Sequence, residues 1–270
     1  MFADGSLRHV GNGAVAMDEL HRPFVRKLDA LAPLHAADKV ALAAIEADAQ
    51  HFPSGTDLIP DGGWAEGMIV LVEGYACRYK LRKNGRRQII AYLVPGDVCD
   101  LDALGLDRMD HAIGTHSNCR VTRVEPNVVS DLRRRPAVAQ ALQTAARADE
   151  ARLRVWLVNL GCRSAVERLA HLFCELFMRL REVGLVNGNS YLLPVIQHDL
   201  ADTTGMTPVH VNRSLGALRR AGLIARKGKH LTVLDLPRLM AVAEFDPGYL
   251  QLGSGRRMGE IASSWMEPPI

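Results

Sequence analysis

Between Met206 and His230 the chain carries six basic residues, Arg213, Arg219, Arg220, Arg226, Lys227 and Lys229, and no acidic one. Cations gathered without carboxylates suit phosphate, and a guanidinium fork also suits the paired acceptors of guanine. The other reactive side chains are scattered. His111 and His116 lie near Cys119, which would allow a metal or haem site. Isolated histidines at loop ends are otherwise ordinary polar residues, and no metal or cofactor is expected. The five cysteines, at positions 77, 99, 119, 162 and 174, include no Cys-x-x-Cys pair. An odd, unclustered set argues against a zinc ribbon or a disulfide framework and predicts a reduced, cytoplasmic protein. Cys77 and Cys99 sit in strand-like runs and read as small buried apolar residues. Cys162 falls at a helix–helix hinge, where oxidation would matter. No catalytic residue is assigned, and no enzyme activity is expected.

The basic stretch needs a scaffold, and the flanking residues describe one. Ile196 to Thr204 reads as a short helix with Leu200 and Ala201 facing inward. Gly205 follows where a sharp turn needs positive φ. Thr207 is a good N-cap and Pro208 a good first helical residue. The next helix should run to about Ala221, with Val211, Leu215 and Leu218 inward. A small residue at Ala201, a glycine at the turn and Val211 in the angle between the helices is the packing pattern of a helix-turn-helix. Leu223–Ala225, Gly228 and Leu231–Val233 read as a two-stranded wing with basic residues at its tip. A charge run alone is usually a solvated face; one placed on such a scaffold points to double-stranded DNA.

The rest of the 270 residues divides by pattern. An apolar fraction of 48% supports sizeable cores, while a net charge of +3 is too mild to argue for nucleic acid by itself. The longest apolar run near a strand signal, Ile89 to Val94, is far short of a membrane span, and the first residues lack the features of a secretory signal. Residues 1–23 are expected to form a loose arm. Leu28, Leu31, Leu34, Val40, Leu42 and Ile45 recur at helical spacing, interrupted by Pro33, which predicts two short helices. Residues 52 to 125 alternate short apolar runs with turns: Met68–Val72, Tyr75–Leu81, Gln88–Val94 and Cys119–Val124 read as strands, and Asn84-Gly85 is the strongest hairpin signal. From Pro136 to Leu160 there is neither proline nor glycine after the first residue. Val138, Leu142, Ala145, Asp149, Leu153, Trp156 and Leu160 fall there at spacings of four and three. That seam reads either as the buried face of a core helix or as a helix pairing with its copy across a two-fold axis. The polar Asp149 on it favours the dimer. Ser164-x-x-Glu167 is a capping box for the following helix.

This order of parts resembles the Crp/Fnr family of bacterial transcription factors over residues 24 to 235. Gly55–Gly62, Val72-Glu-Gly74, Asn84-Gly85 and Val94-Pro-Gly-Asp97 resemble the turns of its β-roll. Val166–Ala170 is similar to the first helix after its dimer helix, and Asp199–Ala201 through Thr207–Arg213 to its helix-turn-helix. The resemblance implies an α+β fold in five parts. These are an arm (1–23), an N-terminal β-roll sensor of cyclic-nucleotide-binding-like jelly-roll type (24–135), a long dimerisation helix (136–161), a C-terminal winged helix-turn-helix (162–235) and a tail (236–270). It implies a homodimer on a palindromic operator with half-sites one helical turn apart, and RNA polymerase as a partner. By the same resemblance Val209, Asn212 and Arg213 read bases. Thr207, His210, Arg219, Lys227 and Lys229 meet phosphate, with Pro208 starting the helix between them.

The departures from the family pattern concern the signal. Its cyclic-nucleotide binders carry Gly-Glu-Leu after the Pro-Gly-Asp turn and an Arg-Ser/Thr-Ala phosphate cradle further on. Here the first region reads Cys99–Leu104 and the second Met109–Ile113. A cyclic phosphate would meet Asp100, Asp102 and Asp110 with only Arg108 nearby, so cyclic AMP is not expected to bind. No cysteine precedes Cys77, which leaves an N-terminal iron–sulfur cluster without ligands. The alternative from another class is a cupin-type β-barrel protein or enzyme with an accessory helical domain. It needs paired metal-binding histidines, and residues 52 to 110 contain none.

Overall fold

The computed structural model describes residues 22–64, 67–99 and 108–252. The expected arm (to residue 21), most of the tail, and Asp100 and Asp102 lie outside the described residues. Pro33 separates two helices as expected, α1 (Pro23–Leu31) and α2 (Ala36–Ala47). Eight strands follow: β1 (Gln50–Phe52), β2 (Asp57–Ile59), β3 (Met68–Glu73), β4 (Ala76–Leu81), β5 (Arg87–Leu93), β6 (Val98–Cys99), β7 (Ala112–Thr115) and β8 (Cys119–Val124). They form two antiparallel four-stranded sheets, ordered β1-β8-β3-β6 and β2-β7-β4-β5. β1, β2, β6 and β7 are too short for an alternating pattern to show in the sequence.

β3 explains the unbroken apolar run Met68–Val72. Ile69 and Leu71 face the core between the sheets with Leu93, Ile113 and Val121. Met68, Val70 and Val72 face the opposite way, onto α1 and α2. A strand buried on both faces has no polar side to alternate with. The Pro95-Gly96-Asp97 turn lies against α1. Gly96 has φ +89°, and a Cβ there would come within 2.6 Å of the Pro23 carbonyl. Asp97 pairs with Lys27 of α1 and with Arg179 in the helix after the long one. Burial pushes its carboxyl up, but the charges of Arg179 and Lys27 outweigh burial and hold it well below the usual range.

After α3 (Pro126–Arg133) comes the long helix α4 (Pro136–Cys162), one residue beyond its expected end. The structure corrects the expected seam on it. Val138, Leu142 and Ala145 are buried against α1, α3 and β3, and Trp156 against α5 (Ala165–Glu182). Asp149 is paired with Arg78 of β4 at 3.0 Å and with Arg152, so the polar seam residue serves the interior of its own chain. Leu160 is partly buried on the same core as Trp156. Of the seven seam residues only Leu153 is exposed; the face open to solvent carries Leu153, Leu157 and Val158. Every alanine of α4 is buried or half-buried, and the seam is the face packed on its own chain, the core-helix alternative that the spacing also allowed.

The Ser164–Glu167 capping box forms, and α5 buries Leu169, Phe173, Leu176, Phe177 and Leu180 as expected. Two further corrections fall in the C-terminal part. The wing strands β11 (Ile224–Lys227) and β12 (His230–Val233) belong to a four-stranded sheet completed by β10 (Ser190–Leu192) and β9 (Val186–Asn187). The expected tail is structured as far as residue 252. Asp235 caps α8 (Leu236–Ala243), and a 3-10 turn (Pro247–Leu250) follows, burying Leu236, Leu239, Phe245 and Leu250. Tyr249 and Trp156 both donate to Glu175 at 3.0 Å, tying this segment to α4 and α5.

Candidate nucleic-acid interface

The two helices of the motif are α6 (Gln197–Thr204) and α7 (Pro208–Arg220). α6 ends at Gly205, whose φ of +67° puts it in the left-handed region that favours glycine. Met206 turns in, and the Thr207 hydroxyl accepts from the His210 N–H at 3.3 Å with Pro208 in the first turn. Ala201, Val211, Leu215 and Leu218 are buried together where the helices meet. This local chemistry leaves the other face of α7 to solvent.

That face carries the residues expected to read bases. Val209 is 71% exposed, and Asn212 and Arg213 are exposed three and four residues on, hence beside it on the helix. Asn212 accepts from the Gln197 amide at 3.4 Å, which orients its carboxamide from the neighbouring helix. Gln197 carried no signal of its own in the sequence. Thr207, His210, Arg219, Lys227 and Lys229 are exposed around this face and on the wing tip. Arg226 is not free for phosphate: its guanidinium donates to the Val195 carbonyl at 2.6 Å and braces the wing.

On its opposite side α6 is fixed to the β-roll. Arg87, at the start of β5, donates to Asp199 at 2.6 Å and to Asp202 at 2.9 Å. Gln88 donates to the Thr203 carbonyl at 3.2 Å, and Tyr92 and Thr203 share a 2.8 Å hydroxyl contact. His116 sits 3.0 Å from Asp199, so it joins the roll to α6. Burial pushes the Asp199 carboxyl up. Hydrogen bonds from His116, the Ile196 N–H and Arg87 outweigh that and hold it at about 2. Tyr75, just before β4, and Cys77, Ile89 and Tyr92 on the outer face of β4 and β5 pack into the same core as α5, α6 and α7. These contacts join segments about a hundred residues apart and were not legible from spacing.

Residues 49–135 match the cyclic nucleotide-binding domain family, and residues 167–242 match the Crp-like helix-turn-helix domain. The chain is 30% identical over 179 residues to the nitrogen fixation regulation protein FixK of Azorhizobium caulinodans, covering 64% of this chain and 70% of that one. This chain belongs to the Crp/Fnr family of transcription regulators. FixK of Bradyrhizobium diazoefficiens is 29% identical over 195 residues, covering 72% of this chain and 81% of the relative. The solved structure of FixK2 from Bradyrhizobium japonicum superposes with a TM-score of 0.61 at 26% identity, covering 72% of this chain and 96% of that one. As a Crp/Fnr regulator the protein binds DNA through the α6–α7 motif and is not an enzyme, which removes the cupin alternative.

Within this family frame the remaining reactive groups take structural places. Cys77, Cys99, Cys119 and Cys174 are buried, and burial pushes the Cys77 thiol up to about 12. Cys162 is exposed at the end of α4. Among the described residues no group of three or more histidine, cysteine or acidic side chains is placed to hold a metal ion. Nor is any described helix long and apolar enough to cross a membrane.

Proposed function

We propose that this regulator acts in the cytoplasm as a homodimer on a palindromic operator, and that its β-roll does not take cyclic AMP. The observation that carries the reading is the single exposed face of α7 with Val209, Asn212 and Arg213, bordered by the basic wing. Arg213 suits guanine O6 and N7, and Asn212 suits adenine N6 and N7. Val209 offers only methyl groups, which suit a thymine methyl. Two copies related by a two-fold axis would place these helices in successive major grooves, about 34 Å apart. The exposed apolar side chains of α4, Leu153, Leu157 and Val158, supply the surface for that axis. RNA polymerase is the protein partner such a role implies.

Two contacts support the reading of the roll. Arg78 is buried between β4 and α4, where it pairs with Asp149, so its charge is already committed. Arg108, the arginine nearest the expected phosphate position, lies over the Trp64 ring at 5.6 Å. Selection of binding sites from random duplex DNA tests the operator. The selected motif should be a palindrome with a G·C pair in each half-site. Arg213→Ala should cost about 1–3 kcal/mol and relax preference at that pair alone. An unchanged motif for Arg213→Ala would show that this helix does not enter the groove as described.

A further inference from the structure

We propose that the β4–β5 hairpin is a second phosphate-binding element, gripping the duplex beside the helix-turn-helix. The inference rests on the DNA-binding role of α7 but concerns a different part of the chain, inside the sensor roll. From Gly74 to Gly96 there is no acidic residue. The turn is closed by a 2.9 Å bond from the Arg82 N–H to the Arg86 carbonyl, and Gly85 has φ +78°. Around it Arg82, Lys83 and Arg86 are all exposed, and no ion pair with another described residue engages them. Lys80 also faces Asp110, and Lys80, Arg82 and Lys83 share a shallow groove with a single carboxylate, Asp61. Positive charge therefore outnumbers negative charge at the tip.

The position of the tip selects its partner. In a helix-turn-helix the first helix crosses the DNA backbone while the second enters the groove. Here the first helix is α6, and the hairpin is bolted to it. Arg87 sits at Asp199 and Asp202, while Tyr92, five residues along the strand, sits at Thr203 near the end of α6. The turn begins one residue before Arg87, so its cations stand within a few residues of the contact with α6, whose first residue, Gln197, reaches Asn212 on the reading face. At roughly 3.3 Å per residue the tip stands about 10 Å past Arg87, or about three base pairs along the duplex axis. Arg87 has a second consequence: it neutralises Asp199 and Asp202, two carboxylates that would otherwise repel phosphate from this helix. A three-cation tip with no carboxylate in its own hairpin, next to the backbone-crossing helix, fits a polyanion of fixed geometry, the phosphates flanking each half-site.

The test uses the full chain and a mixed-sequence duplex of about 60 base pairs, long enough to extend well beyond two half-sites. Binding is followed by fluorescence anisotropy across a salt series for the wild type, Arg82→Ala/Lys83→Ala/Arg86→Ala, and the charge-preserving Arg82→Lys/Lys83→Arg/Arg86→Lys. Each phosphate contact contributes about 0.9 to the slope of log affinity against log salt. The alanine variant should lose at least about two from that slope and bind about tenfold or more weakly near 0.1 M salt, with its melting temperature unchanged. The charge-preserving variant should match the wild type. Equal slopes for wild type and alanine variant overturn the proposal while leaving the reading of α7 standing. Loss of binding in the charge-preserving variant as well overturns it, because shape rather than charge would be at work. Normal DNA binding by the alanine variant with weakened retention of RNA polymerase overturns it in favour of a protein contact. A wild type that binds no DNA overturns the proposed function itself.

Discussion

The surface of α4 allows the dimer to be tested against the folding of the monomer. Leu153, Leu157 and Val158 are 44%, 72% and 51% exposed, so each protomer leaves between one and two apolar side chains' worth of surface in water. At roughly 1.5–3 kcal/mol per fully buried side chain, covering it across a two-fold axis would contribute about 5–10 kcal/mol for the pair, before the cost of association. Leu157→Asp removes the largest share and sets two carboxylates near the axis. Replacing the transfer gain by a desolvation cost should weaken the dimer by several kcal/mol, about a hundredfold or more in the dissociation constant. The monomer should keep its fold, since Leu157 is mostly in water already. Ala145→Asp makes the contrast: Ala145 is buried within the chain. A carboxylate there should lower the melting temperature and yield of the chain before assembly is reached. Analytical ultracentrifugation over a concentration series, with thermal melts and operator binding on the same samples, separates the two. If Leu157→Asp and Leu153→Asp both remain dimeric and bind DNA normally, the outer face of α4 is not the two-fold interface.

Further outcomes are expected elsewhere. Millimolar cyclic AMP should neither raise the melting temperature nor alter DNA affinity; a saturable thermal shift would show that the roll accepts it. Lys227→Ala at the wing tip should weaken binding to all sequences alike and lower the salt slope by about one, and a change in the selected motif would contradict its assignment to phosphate. His171 gives a pH dependence. It is enclosed by Trp156, Phe245 and Tyr249, and burial pushes its imidazole down to about 4, against the pull of Glu175 and with help from Arg163. The unfolded chain takes up this proton near pH 6.5 and the folded chain only near 4. Its contribution is therefore complete above 6.5, falls between 6.5 and 4 by about 3 kcal/mol, and levels off below. Urea denaturation at pH 7 and 5 should show a smaller acid loss for His171→Leu than for the wild type; equal losses would refute the assignment.

The parts legible in the sequence are those whose geometry is local. Gly205 must supply positive φ, Thr207 caps its own helix and Pro208 sits in its first turn, so the helix-turn-helix needs only residues 196 to 221 to declare itself. The same holds for the Asn84-Gly85 turn, the Ser164–Glu167 box and the exposed placement of Asn212 and Arg213. Tertiary structure decided what covers the seam of α4. Its spacing suits a core face and a dimer face equally; α1, α3 and α5 cover it within the chain, and Asp149 turns inward because Arg78 is there to meet it. Strands of two or three residues are below the length at which alternation shows, which hid β9 and β10 and with them the full wing sheet. The link between roll and reading head needed the folded chain most. Arg87, Tyr92 and His116 look like ordinary strand and loop residues until folding brings Asp199 and Thr203 beside them, because an ion pair across some hundred residues of chain leaves no period and no motif in the sequence.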